Sequence, residues 1–177
     1  MIPASFSDLW STDRAAQNAA YSALMAETTE PVSWAYDVWD DVVAHLAAKD
    51  NHDRAIAGQL LCNLAKSDPE QRIIRDWDRL MLVTEDDKFV TARHVIRSLW
   101  KVGLPSELRP FLLDGVAKKF ASCANHKNHT LIRYDLLEGL GKLLDATVDA
   151  AIRPLTLSLI QTESDAKYVK KYKTLWK

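Results

Sequence analysis

Three basic side chains recur every four residues near the middle of the chain, at Arg93, Arg97 and Lys101. Residues four apart lie on one face of an α-helix, so a helix here would carry a single stripe of positive charge. Guanidinium and ammonium groups form charge-assisted hydrogen bonds with carboxylates and phosphates. The stripe is therefore a candidate binding surface for an acidic ligand, and the alternative is an ordinary solvated helix face.

One short segment brings together a cysteine and two histidines: Cys123, His126 and His129. Thiolate and imidazole groups are zinc ligands, but a fourth ligand is missing nearby. The only other cysteine, Cys62, falls on an apolar stripe and is expected in the core. The sequence therefore predicts a polar loop here, with no metal site and no cofactor.

Acidic side chains also cluster, but their pattern does not indicate catalysis. Asp37, Asp40 and Asp41 lie close together on a predicted helix. A catalytic pair of carboxylates needs two environments that separate their pKa values, and nothing in this segment provides them. The sequence also lacks the His-Glu-x-x-His, Gly-x-Ser-x-Gly and Rossmann glycine motifs. We therefore expect a protein that is not an enzyme.

The elements that would position these residues are helices. Apolar residues repeat with the period of an amphipathic helix through most of the chain, and no segment alternates with period two. Only five glycines are present, which argues against a turn-rich β fold. The predicted fold is all-α, with eight or nine helices over approximately 6–27, 31–48, 52–66, 69–83, 87–102, 105–123, 129–145, 147–161 and 165–176.

Three of these helices end in the same pattern, an apolar pair followed by a leucine and then a lysine. The copies are residues 60–66, 95–101 and 136–142, so their lysines are 35 and 41 residues apart. Two other helices share an Arg-Pro pair, which ends at Pro110 in one and at Pro154 in the other. Repetition at a nearly constant period is typical of helical repeat arrays.

The repeat resembles the HEAT family, including its short bacterial form. That family pairs two antiparallel helices in each unit, with a proline bending the first and a Val-Arg-like start to the second. Pro110 and Pro154 match the proline, and 87–90 and 132–133 match the second start. Thr91 stands where the family prefers Arg, His129 stands where it prefers Asp, and the first two units lack the proline.

The resemblance covers residues 31–177 and implies a right-handed α-solenoid within a single domain, 1–177. One hairpin cannot bury its apolar face alone, so neighbouring hairpins must stack into a continuous core. About four antiparallel hairpins are expected, with capping helices at both ends. The N-terminal cap would lie in 1–30, and the hairpins would be 31–66, 69–103, 105–145 and 147–177.

The second helices of such hairpins line the concave face, and HEAT proteins mostly bind other proteins there. The resemblance therefore implies a non-catalytic interaction or scaffold module that binds a protein or an acidic ligand on that face. The predicted contacts form a basic ladder of Lys66, Arg93, Arg97, Lys101, Arg133 and Lys142.

Charge and composition restrict the partner further. The first fifty residues carry two basic and eight acidic side chains, whereas residues 101–177 carry thirteen basic and eight acidic ones. A net charge of −1 makes a nucleic-acid partner possible but not favoured. No secretory signal or membrane-length apolar run is visible, and two cysteines do not make a disulfide framework. We expect a cytoplasmic protein with a protein partner and no membrane association.

Two other functions remain open. Some alkylpurine DNA glycosylases are built from HEAT-like repeats, with Trp and Asp on the concave face. A Trp and an Asp facing a basic groove would favour such a base-excision enzyme, whereas buried Trp rings would favour the interaction module. The third possibility is an inhibitor or immunity-type accessory protein that binds through the acidic N-terminal region.

Overall fold

The computed structural model describes residues 1–176, and within that range it contains nine α-helices and no β-strand. The predicted all-α fold is confirmed. Lys177, the last residue of the predicted hairpin 147–177, lies outside the described residues. No helix in this part of the chain is both long enough and apolar enough to cross a lipid bilayer. The helices are α1 Arg14–Glu27, α2 Ala35–His45, α3 Asn51–Leu64, α4 Arg72–Val83, α5 Phe89–Ile96, α6 Arg109–Ser122, α7 His129–Thr147, α8 Ile152–Gln161 and α9 Ala166–Lys173.

The first helix begins later than the apolar periodicity suggests. The predicted span 6–27 is divided into a short 3-10 helix, Ala4–Asp8, and the α-helix α1. The carboxylate of Asp13 accepts hydrogen bonds from the backbone N–H groups of Ala15 and Ala16. An aspartate that caps the free N–H groups in this way fixes the helix start at the next residue.

Contacts divide the chain into two compact units, Met1–Ser98 and Leu99–Lys177. In the first unit, α3 is the central element and packs against α1, α2, α4 and α5, while α2 also packs against α4. Every residue of α3 from Ala55 to Leu64 is buried except Gln59. Gly58 permits the close approach of α5, because a Cβ atom there would lie 2.4 Å from a methyl carbon of Val95.

In the first unit, side-chain hydrogen bonds connect α2 with α4, and α3 with the end of α1. The indole N–H of Trp39 on α2 donates to Asp76 on α4 at 2.9 Å. The amide of Asn63 on α3 donates to the hydroxyl of Thr28, which caps α1, at 2.9 Å. These bonds span 37 and 35 residues of sequence, so the same packing relation recurs along the unit.

The second unit has the same organisation around α7. This helix packs against α6, α8 and α9, and α6 also packs against α8. The hydroxyl of Tyr172 on α9 donates to the carbonyl of Thr130 at 3.1 Å. The indole N–H of Trp176 donates to the carbonyl of Leu137 at 3.2 Å. Both aromatic rings are buried, so α9 and the short 3-10 helix Thr174–Trp176 that follows it contribute to this unit's core.

The predicted helix 87–102 ends early, and this changes the position of one candidate residue. The hydroxyl of Ser98 donates to the carbonyl of His94, while the Ser98 N–H bonds to the carbonyl of Val95. This pairing tightens the chain, and a 3-10 helix follows over Leu99–Gly103. Lys101 lies in that second segment, so the four-residue spacing does not place it on one helix with Arg97.

Candidate binding groove

A groove of about 190 Å³ opens on the surface of the first unit where α1, α3 and α5 lie side by side. Along each helix the lining residues follow one another at steps of one or three positions, so they occupy one side of the helix. We call this feature the binding groove. Its lining residues are Asn18 and Tyr21 from α1, Asn51, His52, Ala55, Ile56 and Gln59 from α3, and Val90, Thr91 and His94 from α5.

The floor of the binding groove is apolar, and the apolar side chain of Val90 lies at its edge. Ala55 and Ile56 are buried, whereas 69% of Val90 is exposed. An isolated exposed valine needs no explanation, but this one adjoins a concave surface with polar walls. The combination is typical of a surface that receives an apolar side chain between hydrogen-bonding groups.

Hydrogen bonds fix the polar walls. Tyr21 donates its hydroxyl proton to the side-chain oxygen of Gln59 at 2.9 Å, and the Gln59 amide donates to the Ala55 carbonyl at 3.0 Å. Burial raises the pKa of Tyr21, so its hydroxyl remains protonated at neutral pH. On the other side, the Asn51 amide donates to the Thr91 hydroxyl at 3.2 Å. These side chains are therefore positioned before any ligand arrives.

Positive charge collects at the α5 end of the binding groove. Partial burial lowers the pKa of His94, and the neighbouring Arg97, Arg93 and His52 lower it further. Beyond His52, the carboxylate of Asp50 lies 3.4 Å from the His52 ring. The groove is thus cationic around His94 and carries negative charge next to the first turn of α3.

Four members of the predicted basic ladder differ widely in their surroundings. Arg93 is half-buried on α5, and Arg97 is exposed as the residue that caps this helix. Both take part in interactions within the chain, as does the half-buried Lys101. Lys66 is half-buried at the end of α3, where its ammonium donates to the carbonyl of Thr29 and burial lowers its pKa. Of these four, only Arg93 and Arg97 lie near the groove residue His94.

Arg133 was predicted on the accessible face, and the structure buries it instead. Its guanidinium donates to Glu163 at 2.7 Å and to the carbonyl of Phe120 at 3.2 Å, and it lies 4.6 Å above the Phe120 ring. These contacts engage the side chain inside the second unit. Lys142 is exposed and pairs with Glu138 one turn away at 3.1 Å.

The cysteine and the two histidines of the candidate zinc segment have separate local partners. Buried Cys123 donates to the carbonyl of Phe120 at 3.4 Å. The His126 ring accepts from the N–H of Asn128 at 3.0 Å, and the His129 ring lies 3.0 Å from the His126 carbonyl. Within residues 1–176, no three His, Cys, Asp or Glu side chains converge in a way that could hold a metal ion.

Two tryptophan–aspartate pairs occur in the first unit. The half-buried Trp10 donates to the exposed Asp41 at 2.7 Å, whereas the second pair lies in the core. The Trp39 ring is fully buried, and its hydrogen-bond partner Asp76 is also buried. Burial opposes ionisation of Asp76, but hydrogen bonds from Arg75 and Trp39 outweigh it and lower the pKa of this carboxyl. Trp34 and Trp176 are buried as well. None of these residues lines the binding groove.

Sequence reasoning missed the polar walls of the binding groove. Asn51 and Gln59 are eight residues apart on a helix whose other residues are mostly apolar, and this spacing is a weak sign of a polar stripe. Asn18 and Tyr21 come from a helix more than thirty residues earlier, and no local pattern joins them to α3.

Comparisons with protein families, with curated proteins and with solved structures find no match for this chain.

Proposed function

We propose that this chain is a non-catalytic interaction module of stacked helical hairpins that binds a protein partner in the binding groove. The observation that carries the proposal is the make-up of the groove, in which fixed amide and hydroxyl groups surround an apolar floor. Amide side chains both donate and accept hydrogen bonds, as peptide groups do. A segment of protein chain matches such walls, and its apolar side chains match the floor.

The packing relations support a stack of hairpins. In a helical-repeat stack, each helix contacts its own partner and the equivalent helix of the neighbouring unit. Contacts between consecutive helices and between helices two apart occur in both compact units. Hydrogen bonds across 35 to 42 residues accompany them, for example Asn63 with Thr28 in the first unit and Tyr172 with Thr130 in the second. This spacing agrees with the period of the sequence repeat.

The lining of the binding groove favours an interaction module over a base-excision enzyme. A glycosylase stacks an extruded base on exposed aromatic rings and needs an acidic group nearby. Here the Trp39–Asp76 pair is internal, and the surface pair of Trp10 and Asp41 lies outside the groove. The groove lining contains neither a tryptophan nor an acidic side chain. The groove offers hydrogen bonds and positive charge, which are groups that recognise a ligand.

Site-specific photo-cross-linking in the native host tests the proposal. A photoreactive benzoylphenylalanine replaces Val90 at the edge of the binding groove, and in a matched variant it replaces Leu82. Both side chains are about 70% exposed, but Leu82 lies on α4, away from the groove residues. We expect irradiation to produce a discrete protein adduct from position 90 and no equivalent adduct from position 82.

Two results would contradict this assignment. An adduct from position 82 alone would place the binding surface on α4. The absence of any protein adduct from position 90, with the variant folded and photoactive, would show that the groove does not bind a protein in the host.

A further inference from the structure

At its α5 end, the binding groove has cationic groups close to its polar walls. His52 and His94 both line the groove, and Arg93 and Arg97 flank His94 along α5 and its C-terminal cap. The charged groups that act on His94 are Arg97, Arg93 and His52, all of them cationic or potentially cationic. Such a site is poorly suited to a cation and well suited to an anion.

We propose that this end of the binding groove recognises a carboxylate side chain in an extended acidic segment of the protein partner. The inference rests on the proposed function and adds the chemistry of the ligand. The carboxylate would lie against His94 with Arg97 beside it, while a neighbouring apolar side chain enters over Val90 and the buried floor. Acidic residues interspersed with apolar ones are the partner sequence that fits both features.

The rest of the groove favours a peptide over a nucleic acid. A phosphodiester backbone needs cations along its whole path, because every nucleotide carries a charge. Here the charged groups near the groove are mixed, because the two arginines flank His94 whereas the carboxylate of Asp50 lies 3.4 Å from the His52 ring. The pKa of Asp50 is lowered by its hydrogen bonds from Arg14 and from the His52 backbone, so it stays negative as the partner of Arg14. This ion pair adds no net positive charge for a phosphate chain to follow.

Binding of an anion must be linked to protonation of His94. In the free protein the pKa of His94 is lowered by partial burial and by its cationic neighbours, so the ring is neutral at neutral pH. A bound carboxylate adds negative charge and raises the pKa of this ring. The affinity for the anion therefore increases as the pH falls below the pKa of His94 in the complex. It levels off once the pH is below the pKa of His94 in the free protein. A rise of one pH unit in the pKa corresponds to tenfold tighter binding.

Sulfate is a suitable first ligand because its charge stays constant over this range. Backbone amide shifts of Asn51 and Val90 report sulfate binding by NMR, with ionic strength held constant by sodium chloride. We expect the wild-type affinity to rise at least about fivefold between roughly pH 7.5 and 5.5, and His94→Gln to lose most of that rise. A wild-type affinity that is independent of pH, or an unchanged dependence in H94Q, would overturn the proposal.

Competition then identifies the source of the anion. The competitors are an acetylated Glu-Leu-Glu-Leu-Glu amide, its Gln-Leu-Gln-Leu-Gln analogue and an oligothymidylate of similar length. We expect the glutamate peptide to displace sulfate most effectively and the glutamine analogue least. Stronger displacement by the oligonucleotide would assign the site to nucleic-acid phosphate. Equal displacement by the two peptides, with a photo-adduct still formed at position 90, would retain the groove and reject its preference for carboxylates.

Discussion

At the scale of single residues, Arg133 and Glu163 form a buried ion pair in the second unit. Both side chains are less than a tenth exposed, and their charged atoms lie 2.7 Å apart. Burial disfavours the ionised carboxyl, but hydrogen bonds from the Asp165 backbone and from Arg133 outweigh it and lower the pKa of Glu163. Each charge is stabilised by the other, so removing one leaves the other buried without compensation.

Arg133→Met therefore should lower the free energy of unfolding by about 3–5 kcal/mol, measured by urea denaturation. Replacing Glu163 by leucine in the same chain should recover much of that loss, because no unpaired charge remains. The control is Lys142→Met on the same helix, which removes an exposed pair with Glu138 and should cost less than about 0.5 kcal/mol. Similar losses for the two methionine variants would show that the buried pair has no special role.

This pair also shows what the sequence could not reveal about the candidate site. The match of residues 132–133 to a second-helix start gave Arg133 a place in the predicted basic ladder, although its counterpart in the preceding repeat, Thr91, is buried. Its partner Glu163 is 30 residues later, and only the packing of the second unit brings the two together. Arg93 and Arg97 are local neighbours on one helix, and their proximity follows from spacing alone.

At the scale of elements, two helical glycines have opposite surroundings and predict opposite effects. A Cβ atom at Gly58 would lie 2.4 Å from Val95, where α3 and α5 meet. Gly58→Ala should therefore destabilise the protein by about 1–3 kcal/mol, because α5 must move to relieve the overlap. At Gly141 the nearest atom would be 3.8 Å away, on Trp176. Gly141→Ala should stabilise the protein by about 0.5–1 kcal/mol through its higher helix propensity.

Thermal and urea unfolding of both glycine variants would measure this contrast. Combining Gly58→Ala with Val95→Ala removes the overlapping methyl groups, so the second change should cost less in G58A than in the wild-type protein. Equal losses in the two backgrounds would show that α3 and α5 are not in close contact at Gly58.

The helices themselves were largely predictable, whereas their ends depend on single polar side chains. The 3.6-residue period located all nine helices, because each buries one apolar face. It could not show that Asp13 delays the first helix or that Ser98 ends α5 early, since those effects arise from individual hydrogen bonds. The early end of α5 matters for the site, because it separates Lys101 from the helix that carries Arg93.

At the scale of the whole molecule, several carboxylates should make the fold sensitive to acid. The pKa is lowered in the folded protein at Asp50, Asp76, Asp86, Asp149 and Glu163, through hydrogen bonds to arginines or backbone groups. A lowered pKa contributes stability that is fully present above the ordinary carboxyl value near 4 and is lost as the pH falls through the folded-state value.

We therefore expect the urea midpoint to fall steeply below about pH 4. The lowered pKa of His94 also makes the folded protein less stable as the pH falls. A shallow decrease in the urea midpoint should therefore begin below about pH 6.5. Asp86→Asn, which weakens the ion pair with Arg54, should reduce the steep part of the curve. A midpoint that stays constant down to pH 3 would contradict the role given to these carboxylates.

The binding groove belongs to this largest scale, because it exists only once three helices are packed. Its residues come from segments near 20, 55 and 90, and each segment alone is an ordinary amphipathic helix. The sequence indicated the fold class and the basic side chains of α5. It could not indicate that Tyr21 and Gln59 meet across two helices to form a polar wall.

The most direct test of the central claim is the affinity of the partner that cross-links at position 90 for two matched variants. Val90→Asp places a negative charge in the groove, and it lies in the first turn of α5, where an acidic side chain does not disfavour the helix. Leu82→Asp places the same charge on α4. Isothermal titration calorimetry should give a Kd at least about tenfold weaker for V90D and a Kd close to wild type for L82D. Unchanged binding by V90D, or a larger loss in L82D, would contradict the assignment of the groove as the binding surface.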